Sequence, residues 1–287
     1  MIKEEKMNHK KSLQELTFKD NFMFGAVLLD PENCRGILER CIGTEIERVE
    51  VSKEKSIVYN PEFKGVRLDA YAKDEKQTRY NVEMQILPKP ALQKRARYYH
   101  GQIDMEILLA GASYGELPDT YVIFICDFDP FNKGKYRYTK QSICKEAPEL
   151  AMDDGAHTIF LSTKGTNDEE VPEELVKLLK FVGAQPSESE KDFEDDFVKR
   201  LQNSIQEVKA SREMGARHMI FQEMLQEERE EGRAEGREEG RVEGDRNRLV
   251  KQVKKKLEKN MSPDAIAEAL EEEVSVIEEI IAELIEK

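Results

Sequence analysis

Residues 66–86 read VRLDAYAKDEKQTRYNVEMQI, and this stretch decides the fold. Apolar and polar residues alternate on both sides of the turn-forming run DEKQT at 74–78, the pattern of two antiparallel strands. If the strands pair symmetrically about that turn, Asp69 lies opposite Glu83. Side chains alternate along a strand, so Arg67, Asp69 and Tyr71 share a face with Asn81, Glu83 and Gln85. Leu68, Ala70, Ala72, Val82, Met84 and Ile86 form the other face and supply a core. A one-residue slip would bury the charges, so the hydrophobic pattern specifies this register.

Working outward, IERVEVSKEKSIVY (46–59) predicts a further strand before the hairpin. Pro88 and Pro90 end the last hairpin strand, and ALQKRARYYHGQIDMEILLAGASYG (91–115) predicts a long helix. TYVIFICDFD (120–129) is a near-continuous apolar run, as expected of a strand buried on both faces. KYRYTKQSICK and HTIFLST predict two more strands, and PEELVKLLKFV a short helix. Before the hairpin, LTFKDNFMFGAVLLD (16–30) has helical spacing, and ENCRGILERCIG (32–43) predicts a second helix closed by Gly43. The expected fold class is α/β: a mixed sheet core with flanking helices, followed by a long C-terminal helical tail.

The tail differs in composition. Of the net charge of −14, residues 183–287 contribute −10 and residues 1–182 only −4. AQPSESE (184–190) reads as a linker, which sets the expected domains at 1–185, a charged helical linker at 186–260 and a small helical pair at 261–287. Within the linker, EGRAEGREEGRVEGD places Gly232, Gly236, Gly240 and Gly244 four apart. On a helix they form a slowly drifting stripe, suited either to close approach of a second helix or to a weakly helical, solvated spacer. Ser262 followed by Pro263 is a good start for the first helix of the terminal pair.

The acidic balance argues against a protein that coats nucleic acid through its global charge, while leaving room for a local basic groove. Four cysteines without a C-x-x-C pair predict reduced thiols, and four scattered histidines offer no zinc spacing. The first residues lack an apolar signal region and no run is long enough for a membrane helix, so the expectation is a soluble, cytoplasmic protein.

Two carboxylates opposite each other on paired strands repel, which destabilises a hairpin by up to about 1 kcal/mol. A divalent cation held between them reverses that sign, and carboxylate oxygens suit Mg²⁺ or Mn²⁺. The alternative is an ordinary hairpin with one wet, charged face.

Beyond its pattern, the hairpin resembles the core of the PD-(D/E)XK nuclease superfamily, with Asp69 in RLDAYA and the variant E-x-Q at Glu83 and Gln85. More closely, the chain is similar to the recombination-promoting nuclease and putative-transposase branch. FKDNFMFGAVL resembles that branch's opening helix, KRARYYHGQID and YVIFICDFDPF its following helix and strand, and the EGR repeats and SPDAIAEAL its tail. The resemblance implies a restriction-endonuclease-like core and a Mg²⁺- or Mn²⁺-dependent DNA endonuclease that hydrolyses phosphodiester bonds and promotes recombination. It implies that Asp69 and Glu83 are metal ligands, with Gln85 at the place of the usual lysine. The missing positive charge would come from Arg67, Lys89 or Arg95; Arg67, Lys89, Arg95 and Arg97 are candidates to face DNA phosphates. Asp20 could add a carboxylate or cap its helix. The rival reading is a catalytically weak nuclease-fold protein that oligomerises through its C-terminal helices.

Overall fold

A computed structural model describes residues 11–52, 56–57, 66–67, 69–150 and 152–285. Six strands form the main sheet: β1 (Val49–Ser52), β4 (Ala70–Asp74), β5 (Arg79–Gln85), β6 (Thr120–Cys126), β7 (Arg137–Lys140) and β8 (Ala156–Ser162). Their order is β1-β4-β5-β6-β8-β7, and β2 (Ser56–Ile57) and β3 (Val66–Arg67) make a separate two-stranded ladder. β5, β6 and β8 run parallel, while β1, β4 and β7 are antiparallel to their neighbours. This is a mixed sheet with an antiparallel hairpin feeding a parallel centre.

The hairpin register runs as the sequence predicts: Ala70 faces Val82, Tyr71 faces Asn81 and Lys73 faces Arg79. One expectation fails. The segment 66–73 is not one strand, because β3 pairs with β2 and the chain bends at Asp69 before β4 begins. Leu68 and part of the expected strand 46–59 lie outside the described residues.

Helices cover both faces of the sheet. On one side α1 (Asn21–Leu28), α2 (Pro31–Ile42), α4 (Glu173–Gly183) and α5 (Asp196–Ala210) pack over Ala70, Ala72, Val82, Met84, Ile123 and Ile125. On the other, α3 (Leu92–Ile107) lays Leu92, Ala96, Tyr99 and Ile103 over Tyr71, Val122, Phe124 and Phe160. β6 is therefore buried on both faces, with Val122 to Cys126 fully enclosed, as its apolar run requires. Ile86, expected in the core, is 38% exposed because β5 ends one residue earlier.

Local chemistry sets the helix ends. Asp30 caps α2 by accepting from the amides of Glu32 and Asn33, Pro31 occupies the first turn, and Gly43 closes the helix at φ 79°. The helix expected over 16–30 is shorter, since the Asp20 carboxylate accepts from the backbone and hydroxyl of Thr17 and holds a turn ahead of α1. Likewise α3 stops at Ile107 rather than 115.

The domain boundary expected near 185 is displaced. α5 buries Val198, Leu201 and Ile205 in the main core, and Gly36 of α2 lies against the Phe197 ring. The first compact unit extends through Met219 and includes the start of α6 (Arg212–Leu257). Within a charged stretch, α5 carries an apolar stripe of Val198, Leu201, Ile205 and Val208 at helical spacing.

The second unit, residues 220–287, contains the rest of α6 with α7 (Pro263–Leu270) and α8 (Val274–Ile285). The expected terminal pair gains a third member, because Val253 of α6 is buried with Ile266, Ala267, Ile277 and Ile280. A Cβ at Gly232, Gly236, Gly240 or Gly244 would meet nothing within 4 Å among the described residues. No described helix is long and apolar enough to cross a membrane.

Candidate active site at the carboxyl end of the parallel strands

In open α/β sheets the carboxyl ends of the strands are where ligands bind. Glu83 and Gln85 stand at that end of β5, and Asp69 sits at the bend that brings β4 alongside. Two reciprocal contacts tie them. The Asp69 carboxylate accepts from the Met84 amide at 3.1 Å, and the Asp69 amide donates to Glu83 Oε1 at 3.4 Å. α1 closes on the same bend, with a Cβ on Gly25 placed 3.8 Å from the Asp69 carbonyl.

The face that carries Glu83 is not wet. α3 covers it, leaving Asn81, Glu83 and Gln85 buried. Burial and the neighbouring Asp69 charge raise the Glu83 pKa well above the ordinary carboxylate value, and the Arg95 guanidinium only partly offsets them.

Arg95 comes from the first half of α3. It donates to Glu83 Oε2 at 2.8 Å and to Gln85 Oε1 at 3.0 Å, so one side chain gathers both residues of E-x-Q. Tyr99, one turn later, accepts from Arg95 at 2.8 Å and donates to Glu83 Oε2 at 3.3 Å. The Gln85 amide donates to the Met84 carbonyl at 2.8 Å, which fixes its orientation. Asn81 donates to Glu83 Oε1 at 3.2 Å, yet its own buried carbonyl oxygen has no hydrogen-bond partner among the described residues. A half-satisfied buried amide beside a costly carboxylate is the kind of exception found at functional sites.

A second charged cluster adjoins this one. The Asp127 amide donates to the Gln85 carbonyl at 2.9 Å. The Asp127 carboxylate is held by Lys19 at 2.7 Å, Lys164 at 2.8 Å and Thr163 at 2.8 Å, which together depress its pKa despite burial.

The other residues singled out in the sequence are dispersed. Lys89 and Arg97 are exposed, and Arg97 lies two residues from Arg95, hence on another side of α3. Arg67 belongs to β3, and its side chain lies outside the described residues. Asp20 is taken up by Thr17 and Lys11 at the start of α1. No local pattern in the sequence singles out Lys19, Asp127 or Lys164. The four-residue spacing of Arg95 and Tyr99 signals a shared helix face; the Asp127 cluster forms because the β6–β8 pairing brings Asp127 beside Thr163 and Lys164 and Lys19 reaches in from the turn ahead of α1.

The donor set is two carboxylates. Among the described residues no three His, Cys, Asp or Glu side chains gather, so the centre lacks the ligands of a structural zinc site. Two carboxylates that repel each other fit Mg²⁺ or Mn²⁺, which accept one or two protein oxygens and complete their shell with water and substrate.

This mixed sheet, sandwiched by helices with an acidic pair on its hairpin, is a restriction-endonuclease-like α/β fold. The chain belongs to the PD-(D/E)XK nuclease family transposases, whose family model matches residues 22–234. That match includes α5 and the first half of α6. No curated protein and no solved structure matches the chain significantly.

Proposed function

We propose that the protein is a Mg²⁺- or Mn²⁺-dependent DNA endonuclease that hydrolyses phosphodiester bonds at the Asp69–Glu83 pair, and that its cuts promote recombination. The observation that carries this reading is Glu83 itself: a buried carboxylate beside a second carboxylate, with a raised pKa, has no stabilising purpose.

Asp69 and Glu83 would hold the cation, which when bound polarises the phosphate and lowers the pKa of an attacking water. The protein's own residues do the positioning. Tyr99 and Gln85 hold the Arg95 guanidinium beside the pair, where a positive charge would stabilise the developing phosphorane charge that lysine serves in the E-x-K pattern. Gln85, neutral and already committed to the Met84 carbonyl, orients rather than neutralises. The exposed Lys89 and Lys94 near the start of α3 would contact DNA phosphates.

One observation favours a second reading, a catalytically weak interaction protein. Arg95 already gives Glu83 an internal cation. Nicking of supercoiled plasmid by the wild type in Mg²⁺ or Mn²⁺, abolished by EDTA and by Asp69→Ala, decides between them. Equal nicking by wild type and Asp69→Ala would refute the site, and no nicking with any metal would favour the second reading.

A further inference from the structure

We propose that a cavity beside α3 receives an unstacked base of a DNA strand whose phosphate lies at the Asp69–Glu83 pair, an inference that rests on the DNA-cleaving reading above. The cavity has a volume of about 450 Å³, within the range of small-ligand sites. Its walls are the rings of Phe131, Tyr138 and Phe160, and its polar lining comes from Gln93, Thr139 and Lys140.

Strand register joins this cavity to the acidic pair. Glu83 pairs with Phe124, Phe124 with Phe160, and Phe160 with Tyr138, so one row of side chains runs across a single face of the sheet. Neighbouring strands are about 4.8 Å apart, which places Phe160 roughly 10 Å from Glu83. Stacked nucleotides rise about 3.4 Å each, so this straight-line separation sets a minimum of about three nucleotide steps, which the path around α3 lengthens. The rings form a continuous ladder: Phe124 and Phe160 stack at 5.5 Å, and Phe131 meets Phe160 edge-on at 5.2 Å and Tyr138 at 4.9 Å.

α3 straddles the row. Gln93 and Arg95 are two residues apart, about 200° around the helix, so Arg95 reaches Glu83 on one flank while Gln93 lines the cavity on the other. A strand passing between the two crosses the first turn of α3 at Lys94, which is exposed, as is Lys140 at the far side. In a chain of net charge −14, exposed Lys94 and Lys140 on this path and the half-buried rings of Phe131 and Tyr138 at its end suit an anionic strand bearing flat bases. The amide of Gln93 and the hydroxyl of Thr139 both donate and accept, so they can meet the edge of any base.

The test is binding of a single-stranded oligodeoxynucleotide containing 2-aminopurine by the full chain in EDTA, where cleavage plays no part. The protein has no tryptophan, so the probe's emission is read directly. The wild type and Gly240→Ala, a change in open space on α6, are expected to bind and to change the emission alike. Phe131→Leu, and separately the surface change Lys140→Glu, are expected to weaken binding roughly tenfold and to abolish the emission change. Retained binding and emission change in Lys140→Glu and in folded Phe131→Leu would overturn the cavity assignment while leaving the nuclease reading intact. Absence of oligonucleotide binding by the wild type overturns it as well, as does tight binding of free deoxyadenosine monophosphate in its place. In the former case the plasmid assay shows separately whether the nuclease reading also fails.

Discussion

Arg95 donates to Glu83 at 2.8 Å, and the two differ sharply in environment: the Glu83 side chain is 2% exposed, the Arg95 side chain 27%. The carboxylate is fixed within the sheet, and its counter-charge comes from a helix surface open on one side. Such a pair is a poor stabiliser, because desolvating Glu83 offsets much of the attraction. On the proposed reading its value lies in holding a carboxyl group beside Asp69.

Glu83→Gln should therefore stabilise the protein without metal while abolishing cleavage. The sign follows from linkage. Glu83 has a folded pKa raised above its unfolded value of about 4.5, so the folded state retains a proton that the unfolded state releases, and stability is lost as pH rises through the raised pKa. Removing the charge should return about 1–3 kcal/mol at pH 8, measured by urea unfolding in EDTA. A variant less stable than wild type at pH 8 would show that the carboxylate supports the fold.

Metal should act in the opposite direction on the wild type. A cation that binds only the folded pair adds about 2.7 kcal/mol at a hundred times its dissociation constant. Thermal unfolding should shift upward with Mg²⁺ in the wild type and stay unchanged in Asp69→Ala. An equal shift in both would place metal binding elsewhere.

His100 gives a separate acid response. Its ring lies between the hydroxyls of Thr120 at 2.8 Å and Thr158 at 3.0 Å, and burial lowers its pKa to about 4. The folded state keeps the ring neutral, so the stability it contributes is present above pH 6.5 and is lost as pH falls toward 4. At pH 5 the loss is about 2 kcal/mol relative to pH 7. His100→Gln should reduce this acid sensitivity in urea titrations at the two pH values. Unchanged sensitivity would mean that other groups carry it.

The first unit should require α5. A fragment ending at 185 leaves the partners of Val198, Leu201 and Ile205 uncovered and should aggregate, whereas one ending at 219 should fold cooperatively. Gly36→Ala in the full chain pushes on the Phe197 ring and should cost about 1 kcal/mol or more. Gly240→Ala, in open space on α6, should be stabilising by up to about 1 kcal/mol. A soluble, cooperative 1–185 fragment would restore the earlier boundary.

By itself the sequence determined the type of most elements and the register of the hairpin. Alternation around DEKQT fixes the pairing of Tyr71 with Asn81, and the unbroken apolar run after Thr120 marks a strand enclosed on both sides. Those signals are local, written in a period of two and in side-chain polarity. Only the tertiary structure decided that α3 lies over Glu83, that Arg95 rather than Lys89 reaches it, and that Lys19, Asp127 and Lys164 meet beside Gln85. These contacts join residues as far apart as 19 and 127, brought together by strand order and helix docking, which no local periodicity encodes.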